Sequence, residues 1–410
     1  MLQCLVFCKK RGIVFVFVLA FPLVHCSSRT IEPDVVCVQA RVLLELEQEP
    51  CLITPSGLTV FATGAALTLR QLELDGTLTE VMTLPVDGWC HDFAFEHDVA
   101  SGRMWVLEGH DRDTETPAQL RQFDASGQLE WARELSQGDR PVARGSLLHH
   151  QDALYVAMTL DWVIPPDPTD YENYLAPTLV IERRDPSGEL VWTRGDYPTP
   201  DGYSNFASAG LVNLNEAGLS MVATPPLIDY GPSYPFTIDG ENGDVVWSGG
   251  EGRENGHDGL WMVGDDQQLY LAWTLDPRID PTKLPERVEI ESGRSYLEVM
   301  TPTGLERAFS ELHWSDWNDT NVRLATMGEQ ILSLVDGVPG LGVTVHDKTG
   351  ELACKGTLEL PEGVQVDQFY GRPVELEGRD QVVVGGRRRV GDPEDYAYES
   401  MLLLIEALED

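Results

Sequence analysis

Phe123-Asp124-Ala125-Ser126-Gly127-Gln128-Leu129-Glu130-Trp131 is the phrase that decides the fold. An alternating apolar run enters a tight Asp-x-x-Gly turn, and a second run leaves it carrying a large aromatic. The Asp bonds back to the local backbone and the Gly takes a positive φ, which is the chemistry of a β-hairpin. The phrase returns as Arg184-Asp185-Pro186-Ser187-Gly188-Glu189-Leu190-Val191-Trp192 and as Asp239-Gly240-Glu241-Asn242-Gly243-Asp244-Val245-Val246-Trp247. His346-Asp347-Lys348-Thr349-Gly350-Glu351-Leu352 is a further copy, with weaker ones at Leu74-Asp75-Gly76 and Thr301-Pro302-Thr303-Gly304.

The hairpin glycines Gly76, Gly127, Gly188, Gly243, Gly304 and Gly350 are spaced 51, 61, 55, 61 and 46 residues apart. Periods of about 40–50 residues built only of strands point to propeller blades. Two further apolar runs precede each hairpin, so each period makes four short strands, A to D, with the hairpin joining C to D. No stretch after the N-terminus carries a 3.6-residue apolar stripe long enough for a structural helix. Six blades follow, over 50–85, 89–136, 142–196, 205–251, 256–311 and 318–360. The remainder supplies three strands, and the apolar run 35–46 supplies a fourth by pairing with 401–408. The expectation is an all-β propeller of seven four-stranded blades closed by the N-terminal strand, with six blades as the alternative count. Closure joins the two ends of the chain in one blade and leaves only short outer edges.

The chain has 410 residues, with 29 Lys and Arg against 67 Asp and Glu, a formal net charge of −38. Phosphate contacts need basic residues in number on one face, so nucleic acid is excluded as a partner class. The first 26 residues read as an export signal: Lys9-Lys10-Arg11, an apolar run from Ile13 to Val24, then Ser27-Ser28. That run is too short to span a bilayer as a helix. The expected organisation is a signal over 1–26, a linker over 27–34 and one domain over 35–410. Leu23-Val24-His25-Cys26 resembles a bacterial lipobox, which implies lipidation of Cys26, although His25 departs from the small residue usual there. Simple cleavage between Cys26 and Ser28 is the alternative. Either way the localisation is extracytoplasmic, as a cell-envelope lipoprotein or a secreted protein.

Cys37, Cys51, Cys90 and Cys354 remain after the signal, an even number in an oxidising compartment. Three pairings are open. Cys37–Cys51 is the preferred one, because it would pin the N-terminal strand to its neighbour across a short loop. Four buried thiols is the other reading.

The Asp-x-x-Gly-x-x-x-Trp hairpins resemble the repeats of pyrroloquinoline-quinone-type propellers and of their cofactor-free exported relatives, including the bacterial outer-membrane assembly lipoprotein. The resemblance spans most of 60–360 and specifies fold better than activity. Quinoprotein dehydrogenases also carry an adjacent-cysteine disulfide, and no Cys-Cys dipeptide occurs here, so no cofactor is expected. Trp131, Trp192 and Trp247 are expected to pack between blades.

In a propeller the D–A and B–C connections open on one face and the A–B and C–D turns on the other. The B–C connections here are long: 109–118, 161–177, 224–233, 275–294 and 390–399. Long loops on a rigid scaffold are where binding is usually placed. On that face the A strands begin with His91-Asp92, Arg144, Asn205, His257-Asp258, Asn318-Asp319 and Asp367. Convergent polar groups in a concavity are a candidate binding site, and they equally suit hydrogen bonding between blades.

Three functions compete. The first is a binding or assembly scaffold, the least demanding of particular residues, taking a protein or small-molecule ligand on the long-loop face as a monomer. The second is an enzyme resembling arylsulfotransferases, since Trp247-Ser248-Gly249-Gly250 followed by His257-Asp258 is similar to that family's segment. The resemblance implies channel histidines as catalytic groups, for which His91 and His257 are available; Arg144, Arg278 and Arg294 are candidate sulfate clamps, although they do not fall into that family's register. The third is binding of a divalent cation by His91, Asp92, His257, Asp258, Asp319 and Asp367, although no EF-hand or zinc spacing supports a metal site. His149-His150 and Arg387–Arg389 read as ordinary blade residues and a solvated strand end.

Overall fold

Each hairpin phrase folds as its chemistry dictates. Asp124 Oδ1 accepts the N–H groups of Ser126 at 2.8 Å and Gln128 at 2.9 Å, and Gly127 sits at φ 80°. Asp185 and Asp347 repeat the bonds with Ser187 and Glu189, and with Thr349 and Glu351. The computed structural model describes residues 38–407 apart from 87–89, 91–92, 110–116, 137–139, 161–176, 196, 198–207, 225–233, 249–260, 265–266, 275–294, 305–306, 313–320, 339, 359, 361–363, 365, 367, 377–379 and 393–394.

The strands form seven four-stranded antiparallel sheets. After β1 (Val38–Leu46), blade 1 holds β2 (Leu52–Ile53), β3 (Leu58–Ala62), β4 (Leu67–Leu72) and β5 (Leu78–Leu84). Blade 2 holds β6 (Phe93–Asp98), β7 (Arg103–Glu108), β8 (Gln119–Phe123) and β9 (Leu129–Glu134). Blade 3 holds β10 (Val142–His150), β11 (Ala153–Leu160), β12 (Thr178–Arg184) and β13 (Leu190–Arg194). Blade 4 holds β14 (Ser208–Asn215), β15 (Gly218–Thr224), β16 (Tyr234–Ile238) and β17 (Val245–Ser248). Blade 5 holds β18 (Trp261–Gly264), β19 (Leu269–Thr274), β20 (Ser295–Met300) and β21 (Arg307–Leu312). Blade 6 holds β22 (Asn321–Met327), β23 (Gln330–Val338), β24 (Gly340–Asp347) and β25 (Leu352–Thr357). Blade 7 holds β26 (Gln368–Glu375), β27 (Gln381–Asp392) and β28 (Asp395–Ala407).

The first strand completes the last blade. β1 pairs with β28 from Val38↔Ala407 to Leu46↔Ser400, in the order β1-β28-β27-β26. The ring is therefore seven-bladed and closed by the two ends of the chain. A carboxylate and a guanidinium secure the junction. Glu49 accepts two bonds from Arg387, at 2.5 and 2.6 Å, and a third from the Ser400 hydroxyl at 2.9 Å. Burial would raise the Glu49 carboxyl, yet these bonds hold it below its usual range. The Arg387 guanidinium lies over Tyr370 at 5.2 Å and Tyr398 at 5.7 Å.

Two expectations about this blade change. Arg387 is half-buried and paired rather than a solvated strand end, because its partner comes from the other end of the chain. Residues 390–392 and 395–399 belong to an extended hairpin rather than a loop, since the ladder of β27 and β28 runs on to Asp392↔Asp395.

Neighbouring blades interlock through the hairpins. A Cβ at Gly188 would lie 3.0 Å from the Trp131 ring of the preceding blade, and one at Gly243 would lie 2.9 Å from Trp192. Trp247 meets Gly304 in the same way. The indole N–H groups finish the contact: Trp131 donates to the Pro186 carbonyl at 3.3 Å and Trp192 to that of Gly240 at 3.1 Å. Each Gly thus supplies both the positive φ of its own turn and the flat surface on which a Trp lies. The three Trp residues do pack between blades. Deeper in, apolar side chains fill the seams, as where Leu107 and Leu120 of blade 2 meet Val142 and Met158 of blade 3.

The disulfide differs from the expected one. Cys51 bonds to Cys90, with Cα atoms 4.8 Å apart, so the Cys37–Cys51 pairing does not form. Cys51 precedes β2 and Cys90 precedes β6, and these are the first strands of neighbouring blades. The bridge closes a sequence separation of 39 residues. In the chain-entropy picture a loop of that size contributes about 4 kcal/mol. Cys354 is disulfide-bonded too.

Gly188→Ala should destabilise the protein by about 2–4 kcal/mol, since it adds a strained φ and a methyl against the Trp131 ring. Gly210→Ala is the control, because a Cβ there meets nothing within 4 Å. Chemical denaturation of both variants checks this, and equal stabilities would count against the interlock.

Candidate functional site

The first strand of each sheet forms the inner wall of the ring. Arg144 stands on β10, exposed, beside a register shift between Val142 and Arg144 and opposite Thr159. Of the residues expected at the A-strand starts it is the one the structure describes. His91, Asp92, Asn205, His257, Asp258, Asn318, Asp319 and Asp367 lie outside the described residues, as do Cys26, Cys37, Arg278 and Arg294. Among the described residues, no group of three or more His, Cys, Asp or Glu stands together as a metal site.

The inner strands carry a perturbed carboxylate that the sequence reading missed. Glu96 of β6 accepts the backbone N–H of His149 on β10, and it feels the Arg372 guanidinium of β26 from across blade 1. Burial pushes its carboxyl up to about 7, against both of these partners. Burial likewise lowers Arg372, with Glu96 acting in the opposite direction. The Arg372 side chain nevertheless keeps contact with solvent, as it would in the wall of a water-filled channel. One signal for Glu96 was available: a lone carboxylate in the apolar run Phe93-Ala94-Phe95-Glu96 must find a donor or shift its pKa.

His149 and His150 diverge as adjacent strand residues must. The His149 ring stacks on Trp105 of blade 2, with centroids 4.4 Å apart and planes 21° apart. Trp105 in turn donates to Gln122 at 2.8 Å. Burial lowers the His149 pKa, and the charge of Asp98 opposes that shift. His150 instead borders a cleft of about 720 Å³ on the short-turn face, shared with Gln151, Asn215, Glu216, Asp239 and Glu241. Gln151 takes φ 53° in that wall, and Glu241 is paired with Arg183 at 2.8 Å.

Inner-strand polar groups repeatedly serve the neighbouring blade. Ser146 Oγ of β10 accepts the Leu211 N–H of β14 at 3.1 Å. Glu375 of β26 accepts the Gly328 N–H beyond β22 at 2.7 Å. With Glu96 and His149 these make three side-chain-to-backbone bonds at three seams. An inner strand has no partner on its channel side, so its N–H groups need such acceptors or water.

No protein-family profile matches the chain, and no curated protein is similar to it in sequence. Solved structures do resemble it. The polysaccharide lyase Uly1 superposes with a TM-score of 0.53 at 8% identity, over 86% of this chain and 88% of the lyase. Hydrazine synthase of Kuenenia stuttgartiensis gives 0.46 at 13% identity, over 78% and 87% of the two chains. A putative 6-phosphogluconolactonase of Bacteroides fragilis gives 0.45 at 10%, over 84% and 94%. Likeness at such identities establishes the propeller fold alone.

Neutral Glu96 stabilises the fold fully below its unfolded pKa, near 4.5, and that contribution is lost as pH rises through about 7. By about pH 8 the loss amounts to about 3 kcal/mol. Glu96→Gln should therefore gain stability on the parent as pH rises from 4.5 to 8. Urea denaturation at both pH values measures it. A constant difference would mean that Glu96 titrates normally.

Proposed function

We propose that this chain is an exported, lipid-anchored propeller that acts as a binding or assembly scaffold, with its ligand docking on the face of the B–C connections. The observation that carries this reading is how the inner-strand polar groups are used. Glu96, Ser146 and Glu375 are engaged in joining blades, which leaves the connections between strands B and C as the surface free to vary. Those connections are bracketed by paired strand ends such as Leu160↔Thr178 and Thr274↔Ser295, at the end of the blades where Arg144 lies. All three cysteines among the described residues are disulfide-bonded, which favours an oxidising compartment. The resemblance of the hairpins to those of exported quinoprotein-type propellers agrees with it. The outer strands of blades 1 to 6 are short, four to seven residues each, and offer little edge along which copies could pair, in keeping with a monomer.

Two experiments test this. Purified mature protein should not turn over aryl sulfates, and replacing 275–294 by a short turn should abolish capture of the ligand from envelope extracts without altering the thermal midpoint. Turnover that disappears in His257→Ala or His91→Ala, with folding intact, would make it an enzyme instead. Separately, the full-length chain should label with palmitate in a bacterial host, and Cys26→Ala should not. Equal labelling would remove the lipid anchor from the account.

A further inference from the structure

Blade 6 buries a set of polar atoms that no described residue satisfies. Ser333 on β23 and Thr344 and His346 on β24 are each 0% exposed. Ser333 Oγ, Thr344 Oγ1 and both ring nitrogens of His346 have no hydrogen-bond partner among the described residues. The register places them together. Ser333 is directly opposite Thr344, and Ile331, two residues before Ser333, is opposite His346, two residues beyond Thr344. Side chains two apart on a strand share a face. Ile331 packs with Tyr270, Leu297 and Val299 of blade 5, so the polar set faces the seam between blades 5 and 6.

Blade 3 shows what the same positions hold when the protein fills them. Arg184 and Glu182 stand one and three residues before the hairpin Asp185, as His346 and Thr344 stand before Asp347. There the guanidinium bonds Glu182 at 2.6 and 2.8 Å and reaches the hairpin carbonyl of Gly188 at 2.8 Å. Imidazole and hydroxyl side chains are shorter and carry no opposite charges, and Ser333, Thr344 and His346 form no bond with one another. Burial holds the His346 ring down at about 4. It is therefore neutral at ordinary pH, with one nitrogen donating and one accepting. A neutral imidazole and two hydroxyls offer no charge to offset the desolvation of a cation. They do match water, which donates and accepts and makes about three bonds at a buried site.

We propose that the seam between blades 5 and 6 contains a buried water site, in which ordered water bonds His346, Thr344 and Ser333 and does for blade 6 what the Arg184–Glu182 pair does for blade 3. The water belongs to the fold rather than to exchangeable surface solvent, because every residue that holds it is sealed from bulk.

A crystal structure fine enough to show solvent tests this directly. At least one ordered water should lie within hydrogen-bond distance of a His346 nitrogen and of Thr344 Oγ1 or Ser333 Oγ. Histidine labelled with ¹⁵N supplies a second readout on the parent protein. One ring should stay neutral from pH 5 to 8 and show magnetisation transfer from a long-lived water. Thr344→Glu combined with His346→Arg, copying blade 3, should expel that water while the protein stays folded. Three results would overturn the site: a dry seam, direct bonds among the three side chains, or a His346 ring that titrates near 6.5. The parent readouts decide the matter even where the double variant fails to fold.

Discussion

A tryptophan lying on the glycine of the next hairpin is the contact on which the ring depends. A four-stranded blade is a small sheet with two apolar faces and cannot stand alone, so its stability comes from the blades on either side. Trp131 on Gly188, Trp192 on Gly243 and Trp247 on Gly304 couple blades 2 to 5 in succession near the outer strands. Burial of such an aromatic face contributes about 2 kcal/mol, and the indole hydrogen bond sets where the ring lies. Surface pairs such as Arg133 with Glu189, at 2.9 Å, follow the same direction around the ring and add little. Blade 1 uses a methionine for the purpose, with Met82 against Gly127.

The inner side of the ring is joined by different chemistry. There the strands have one unpaired edge, and carboxylates and hydroxyls reach across to the next blade's N–H groups. Glu96 combines this duty with a channel-side arginine and a pKa brought near neutrality, which makes it the most strongly perturbed carboxylate among the described residues. The polar groups of the inner wall are thus largely structural in the described part of the molecule. The connections between strands B and C, by contrast, vary in length between blades while the hairpins stay nearly constant.

Much of this was legible in the sequence because the hairpin is local. Asp-x-x-Gly determines a turn within five residues, and its recurrence yields the blade count. Closure was legible by elimination, since three leftover strands need a fourth and only one apolar run was unassigned. Contacts between distant parts of the chain were harder. Arg387 looked solvated because Glu49, its partner, belongs to the other end of the chain. The Cys51–Cys90 bridge was open to a better reading, since each cysteine shortly precedes the first strand of its blade and neighbouring first strands lie side by side. Of the residues suggested for a binding or catalytic site, Arg144 alone falls where its surroundings are described, exposed on an inner strand.

Hydrogen exchange of the intact protein addresses the interlock most directly. Outer strands are edge strands and should open readily unless something holds them. The account predicts that backbone amides in β9, β13 and β17, which carry the docked Trp residues, exchange more slowly than those in β25, the outer strand of blade 6. Exchange that is equally fast in all four strands, or slowest in β25, would contradict the claim that the tryptophans hold the ring together.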